Sequence, residues 1–281
     1  MDSDRHLDQP KPAPPPDEGP SPAGIGQTLV DRLDRCVERL ENPALHPGWV
    51  VHEVRKDLKR VRALLRLCAA ELPTRRLEKR CGAAARELAH LRDAAALGET
   101  LGRLRTRADA RQLEALEAVI AALGLERPAG EPHGLPRPVA EDAAATLRKV
   151  RVRCAELDFS RMDGAALDAG LAAAWSDSAR AFRRVVKRRA LPRYHDFRKA
   201  VKRESHQREL SGRPLDRMER ATLKKLAEVL GELQDLDVLR AKLRDGRRWR
   251  GPVRKLVKQT ICELQARAVR LGHGRYPERS S

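Results

Sequence analysis

His52-Glu53-Val54-Arg55-Lys56-Asp57-Leu58-Lys59-Arg60 and His195-Asp196-Phe197-Arg198-Lys199-Ala200-Val201-Lys202-Arg203 follow one pattern, a histidine and then two basic pairs at matching positions, at an offset of 143 residues. Further along, Leu91-Arg92-Asp93 with Leu97 and Leu101 matches Leu233-Gln234-Asp235 with Leu239 and Leu243 at an offset of 142. Chance can supply one basic nonamer in an arginine-rich chain, but a second match at nearly the same offset points to duplicated halves. The expectation is one all-α domain made of two pseudo-symmetric helical bundles.

Around these segments a 3.6-residue periodicity runs almost to the end of the 281-residue chain, and no segment alternates as a strand would. It predicts helices over about 25–41, 50–72, 75–105, 109–124, 139–157, 165–190, 193–211, 215–245 and 253–271, broken by proline and glycine. The first half is expected at about 25–125, a Gly/Pro-rich linker at about 126–138, and the second half at about 139–272. Residues 1–24, with seven prolines, are expected to be a disordered, extended tail. That tail holds five acids against Arg5 and Lys11, so the +18 formal charge becomes +21 over residues 25–281. The positive field therefore belongs to the folded body and suits a polyanion, without naming which.

Placing His52 at 0° and stepping 100° per residue puts Arg55, Lys56, Lys59, Arg62 and Arg66 on one arc, opposite Val54, Leu58, Val61, Leu65 and Cys68. From His52 to Arg66 this row runs about 21 Å at 1.5 Å per residue. In the second copy His195, Arg198, Lys199, Lys202 and His206 share a face, and the preceding helix sets Arg180, Arg183, Arg184, Lys187 and Arg188 opposite Phe182, Val185 and Val186. Arg32, Arg35 and Arg39 make a diluted version in the first helix, and Arg148 and Arg151 are candidates to extend it. Like charges at i,i+4 repel, and acids at that spacing are nearly absent: Glu53 and Asp57 sit off the arc. An external anion would complete such rows. Each histidine opens a row, where it could donate to a phosphate oxygen or orient a cation. Asp93 and Asp235 are expected to pair with an arginine of a neighbouring helix.

Other chemistry is poorly supported. The five cysteines, Cys36, Cys68, Cys81, Cys154 and Cys262, match no zinc or redox spacing and read as small core residues of a reducing cytosol. No metal ligand set, phosphate-binding glycine loop or nucleophile elbow is visible, so no catalytic residue, metal or cofactor is expected. Residues 1–24 hold no apolar h-region and the longest apolar stretch, around Ala118 to Leu125, is too short to span a bilayer, so neither secretion nor membrane insertion is expected. With aromatics at 3%, stacking platforms for nucleic acid are scarce.

The His52 to Arg66 row, the Arg183 to Ala190 segment leading into His195 to Arg203, and the Leu-x-Asp segments at Asp93 and Asp235 resemble the conserved-histidine α-helical domain, the CHAD family. The resemblance spans about 27–272. It implies two four-helix bundles around a central basic cleft or pore that binds inorganic polyphosphate without catalysis, in the cytoplasm or on polyphosphate granules. Phosphate or sulfate would mimic that ligand. Carried onto this chain, His52, Arg55, Lys56, Lys59 and Arg62 would line one side, and Arg183, Arg184, Lys187, His195, Arg198, Lys199 and Lys202 the other. The chain departs from the family pattern after Arg203, where Glu204, Ser205 and Arg208 interrupt an apolar face. It also lacks the acidic ExExK signature of a fused triphosphate-hydrolysing domain, so no hydrolysis is expected. Two other classes of function remain open: a histidine phosphotransfer relay, and a basic adaptor for RNA or an acidic protein.

Overall fold

The computed structural model describes residues 24–88, 93–122, 135–213, 215–245 and 251–277. All of the expected tail except Gly24, and most of the expected linker, lie outside the described residues. Among those described the chain is all-helical, without a strand. Ten helices follow one another: α1 (Gly24–Glu41), α2 (Pro47–Leu67), α3 (Arg75–Glu87), α4 (Asp93–Arg105), α5 (Ala110–Ala122), α6 (Arg137–Ala155), α7 (Gly164–Lys187), α8 (Leu191–Leu210), α9 (Arg217–Asp245) and α10 (Gly251–Arg275). None of the helices described is long and apolar enough to cross a membrane.

Local chemistry sets the ends. Proline in the first turn of α2, α6 and α8 sits where its missing N–H has no intrahelical role. Asp163 opens α7 by accepting from the Ala166 N–H at 2.8 Å. Asp109 and Gln112 cap α5 reciprocally, each side chain accepting from the other's backbone N–H, at 2.8 and 3.0 Å.

Buried side chains form two clusters. One joins α1, α2, α3 and α6, with Leu167 and Leu171 of α7 and Leu210 of α8. The other joins α4, α5, the later turns of α7, α8, α9 and α10. The single helix expected over 75–105 is therefore two: Leu77, Cys81 and Leu88 belong to the first cluster, and Leu97, Leu101 and Leu104 to the second. Likewise α6, which follows the linker, packs with α1 and α3, while α5, which precedes it, packs with α10. The chain's division at about 126–138 is thus not the division of its core. Segments related by the repeat offset also lie against each other, with α2 on α8, α4 on α9 and α5 on α10.

In the second cluster Phe182, Phe197 and Tyr276 pack with ring centroids 5.5 to 6.1 Å apart. A Cβ at Gly272 would stand 2.1 Å from the Phe182 ring, so only glycine lets α10 approach α7 this closely. Cys36, Cys68, Cys81 and Cys154 are free thiols buried in the first cluster, where burial pushes Cys36, Cys68 and Cys154 up to about 12. Cys262 departs from the expected core role, being exposed on α10.

Candidate functional site

On α2 the predicted two faces are present. Val54, Leu58, Val61, Leu65 and Cys68 are buried, while His52, Lys56, Lys59 and Arg66 are exposed and Arg55 and Arg62 half-buried. The row is less bare of acids than a single-helix projection indicates, because carboxylates also arrive from neighbouring helices. Lys56 stands 3.3 Å from Glu53. Arg62 donates through Nε at 2.9 Å and Nη2 at 2.7 Å to Glu78 of α3, and its guanidinium lies against Gly82, where a Cβ would come within 3.3 Å of Cζ. Arg55 donates to the Ala85 carbonyl at 3.3 Å.

Asp57 is off the arc as expected, and it is buried. It accepts from Arg32 at 2.8 Å and Arg39 at 2.6 Å, which commits two of the three α1 cations to packing. Arg151 pairs with Asp34 at 3.1 Å and Arg148 with Glu41, so these two are also engaged in ion pairs.

The second row differs. Arg180 bonds Asp177 at 3.2 Å. Arg183, Arg184, Lys187 and Lys199 are exposed, and among the described residues no carboxylate forms an ion pair with them, with Lys202 or with Arg66. His195 is half-buried, and its Nδ1 meets Oε1 of Gln234 on α9; with that oxygen accepting, the Nδ1 position carries the proton. Asp235, the residue after Gln234, accepts from Arg103 of α4 at 2.8 Å, the interhelical pairing expected for it. The Asp93 side chain lies outside the described residues.

The two rows meet where α8 crosses α2. Gln207 Nε2 donates to the Ala63 carbonyl at 2.9 Å, and Arg60 Nη2 donates to Glu209 at 2.7 Å. His206 sits beside them with Nδ1 3.4 Å from Glu209. Electrostatics records the crowding. Burial lowers the pKa of Lys202, and Arg198 lowers it further. Burial likewise lowers Arg203, with Arg66 of α2 adding to the effect while its 2.6 Å bond to Asp177 opposes it. His206 is lowered by burial and then by Arg60 and Lys202, against the pull of Glu209. Cations that lose hydration and face one another in this way gain when an anion joins them.

Sequence reasoning passed over several cations. Arg60 and Arg203 lie within the repeated nonamers yet off the chosen arc, and structure puts both at contacts between helices. On α3, Arg75, Lys79 and Arg86 recur at helical spacing and are exposed, together with Arg76 and Arg80. The same periodicity that marked α2 could have found them. Among the described residues no group of three or more His, Cys, Asp or Glu side chains is placed to hold a metal ion.

A family model described as the CHAD domain matches residues 14–244. The match takes in part of the Pro-rich segment and stops before α10. Among curated proteins and among solved structures, nothing matches the chain.

Proposed function

The chain belongs to the CHAD domain family, and on that premise we propose that it binds inorganic polyphosphate, without chemical conversion, along the cationic faces of α2, α7 and α8. The observation that carries this reading is the α2–α8 crossing. There the helices that carry the two copies of the basic nonamer bring Arg60 and Arg66 of α2 near Lys202, Arg203 and His206 of α8, and the last three lose hydration at a cost that a bound anion would offset. Duplicated bundles around a basic cleft would give the polymer a continuous path, and the contacts between repeat-related helices support that arrangement.

Polyphosphate is favoured over nucleic acid because the site offers charge and little stacking surface. Tyr194, Phe182, Phe197 and Tyr276 are buried, Trp175 and Phe159 are partly so, and among the described aromatic rings Trp49 is the exposed one, under Arg39 at 5.4 Å. The chain would act as a cytoplasmic binder that can reside on polyphosphate granules.

The test is competition of polyphosphate against single-stranded and duplex nucleic acid at two salt concentrations, on wild type and on Lys59→Glu/Lys202→Glu. Polyphosphate should bind tighter per charge, and the double reversal should weaken it roughly 100-fold, about tenfold for each reversed cation. Equal affinity per charge reduces the function to general polyanion binding. Unchanged affinity in the double variant removes α2 and α8 from the site.

A further inference from the structure

We infer that Glu209 is a resident competitor at the α2–α8 crossing, a carboxylate that excludes compact phosphates and so makes the site select for extended polymers. The inference rests on the polyphosphate reading and concerns which members of that ligand class are admitted.

Glu209 stands on the last turn of α8 with its two oxygens divided between the helices. Oε1 accepts from Arg60 of α2 at 2.7 Å, and Oε2 lies 3.4 Å from Nδ1 of His206. Its charge also acts on Lys202, one helical stretch earlier on α8. With His206 and Arg60 as its partners, the Glu209 carboxyl is held down to about 2 and stays ionised at physiological pH. It thus occupies the position an incoming phosphate oxygen would take at the crossing. The donors around it are only partly satisfied: Arg60 Nε is buried there without a hydrogen-bond partner.

A tethered carboxylate competes at an effective concentration set by its attachment, on the order of millimolar or higher. A compact anion such as pyrophosphate that seats at the crossing must displace Glu209 or share its cations. A long polymer has an alternative. It can leave the Arg60–Glu209 pair closed and engage Arg198 and Lys199 upstream on α8, Arg183, Arg184 and Lys187 on α7, and Arg66 on α2. Glu209 therefore penalises short anions more than long ones, and length selection follows from one side chain.

The experiment titrates pyrophosphate, tripolyphosphate and a long-chain polyphosphate into the full chain by calorimetry, with wild type, Glu209→Gln and Glu209→Asp. Glu209→Gln should tighten pyrophosphate about tenfold, the worth of one charge-assisted hydrogen bond, and the long polymer less than about threefold. Glu209→Asp keeps the charge and should retain most of the discrimination, which separates charge from any effect on helix packing. Equal gains for short and long anions, or no gain for either, overturn the role of Glu209 alone. Failure of the wild type to bind the long polymer overturns the polyphosphate reading with it.

Discussion

The helices α2 and α8 carry the same basic nonamer, yet they bury their acids differently. In α2 the buried carboxylate is Asp57, which ties the helix to Arg32 and Arg39 of α1, and the offset position in α8 is Ala200. In α8 it is Glu204, fully buried, accepting from Arg275 at 2.7 Å and from the Tyr276 hydroxyl at 2.6 Å, and the offset position in α2 is Val61. The cationic faces match while the anchoring faces do not. This separates two jobs within one helix. The repeated residues supply the cations, of which Arg60 and Arg203 also bridge helices, and the buried acids, which are not repeated, fit each helix to its own neighbours. Glu204, which looked like an interruption of an apolar face, is the acceptor that α10 requires.

The sharpest way to break this comparison is to remove each buried acid. Glu204→Ala leaves Arg275, whose side chain is 7% exposed, with only Glu219 at 3.2 Å and strips the Tyr276 hydroxyl of its acceptor. The expected loss is about 3–5 kcal/mol in urea denaturation, as for a buried pair deprived of one member. Asp57→Ala leaves Arg32 and Arg39 at 11% and 20% exposure, close enough to water to rehydrate, and should cost about 1–2 kcal/mol. Equal losses would mean that the two anchors are equivalent and the asymmetry is only one of position.

A smaller effect sharpens the comparison at the crossing itself. His206 is a base whose folded pKa lies below its usual 6.5, first because burial disfavours the charged form. The unfolded chain therefore takes up the proton first. Stability is fully present above 6.5 and is lost as pH falls below it toward the folded value. Ligand binding runs the other way, since a bound anion favours protonated His206 and affinity rises as pH falls through the same window. Polyphosphate titrations at pH 7.5 and 5.5 should show this proton-linked tightening of roughly two- to fivefold, the scale of one partly screened charge pair. His206→Gln should remove that part of the pH dependence. A profile identical to wild type would exclude His206 from the ligand's field.

Helix positions and outward faces were readable because both follow from periodicity. Val54, Leu58 and Val61 repeat as a buried stripe must, and the basic residues occupy what remains of α2. Partnership between helices was not readable. The stripe that runs from Leu77 to Leu104 keeps helical period throughout, so nothing in its spacing shows that Leu88 and Leu97 serve different clusters. The position of α6 beside α1 and α3 was hidden for the same reason: an apolar face says that it is covered, not by what. The acids facing the rows were missed because Glu78 and Glu209 reach Arg62 and Arg60 from other helices. A wheel drawn for one helix contains neither.

The smallest expected effect concerns one of those hidden contacts. Gly82 of α3 lies under Arg62, and their offset positions in the second half are Lys224 and Ser205. Where α8 places a short serine, α9 carries a long side chain; where α2 places an arginine, α3 carries none. Gly82→Ala sets a helix-propensity gain of about 1 kcal/mol against the displacement of a guanidinium 3.3 Å away. Because the obstacle is the far end of a flexible chain, Arg62 can shift and keep one of its two bonds to Glu78, and the net change in urea denaturation should stay within about 0.5 kcal/mol. A loss above about 1.5 kcal/mol would show that the doubly bonded Arg62–Glu78 pair is rigid and anchors α3 to α2. Arg62 would then belong with Asp57 among the residues that fit a helix to its neighbour, and the outward row of α2 would be one cation shorter.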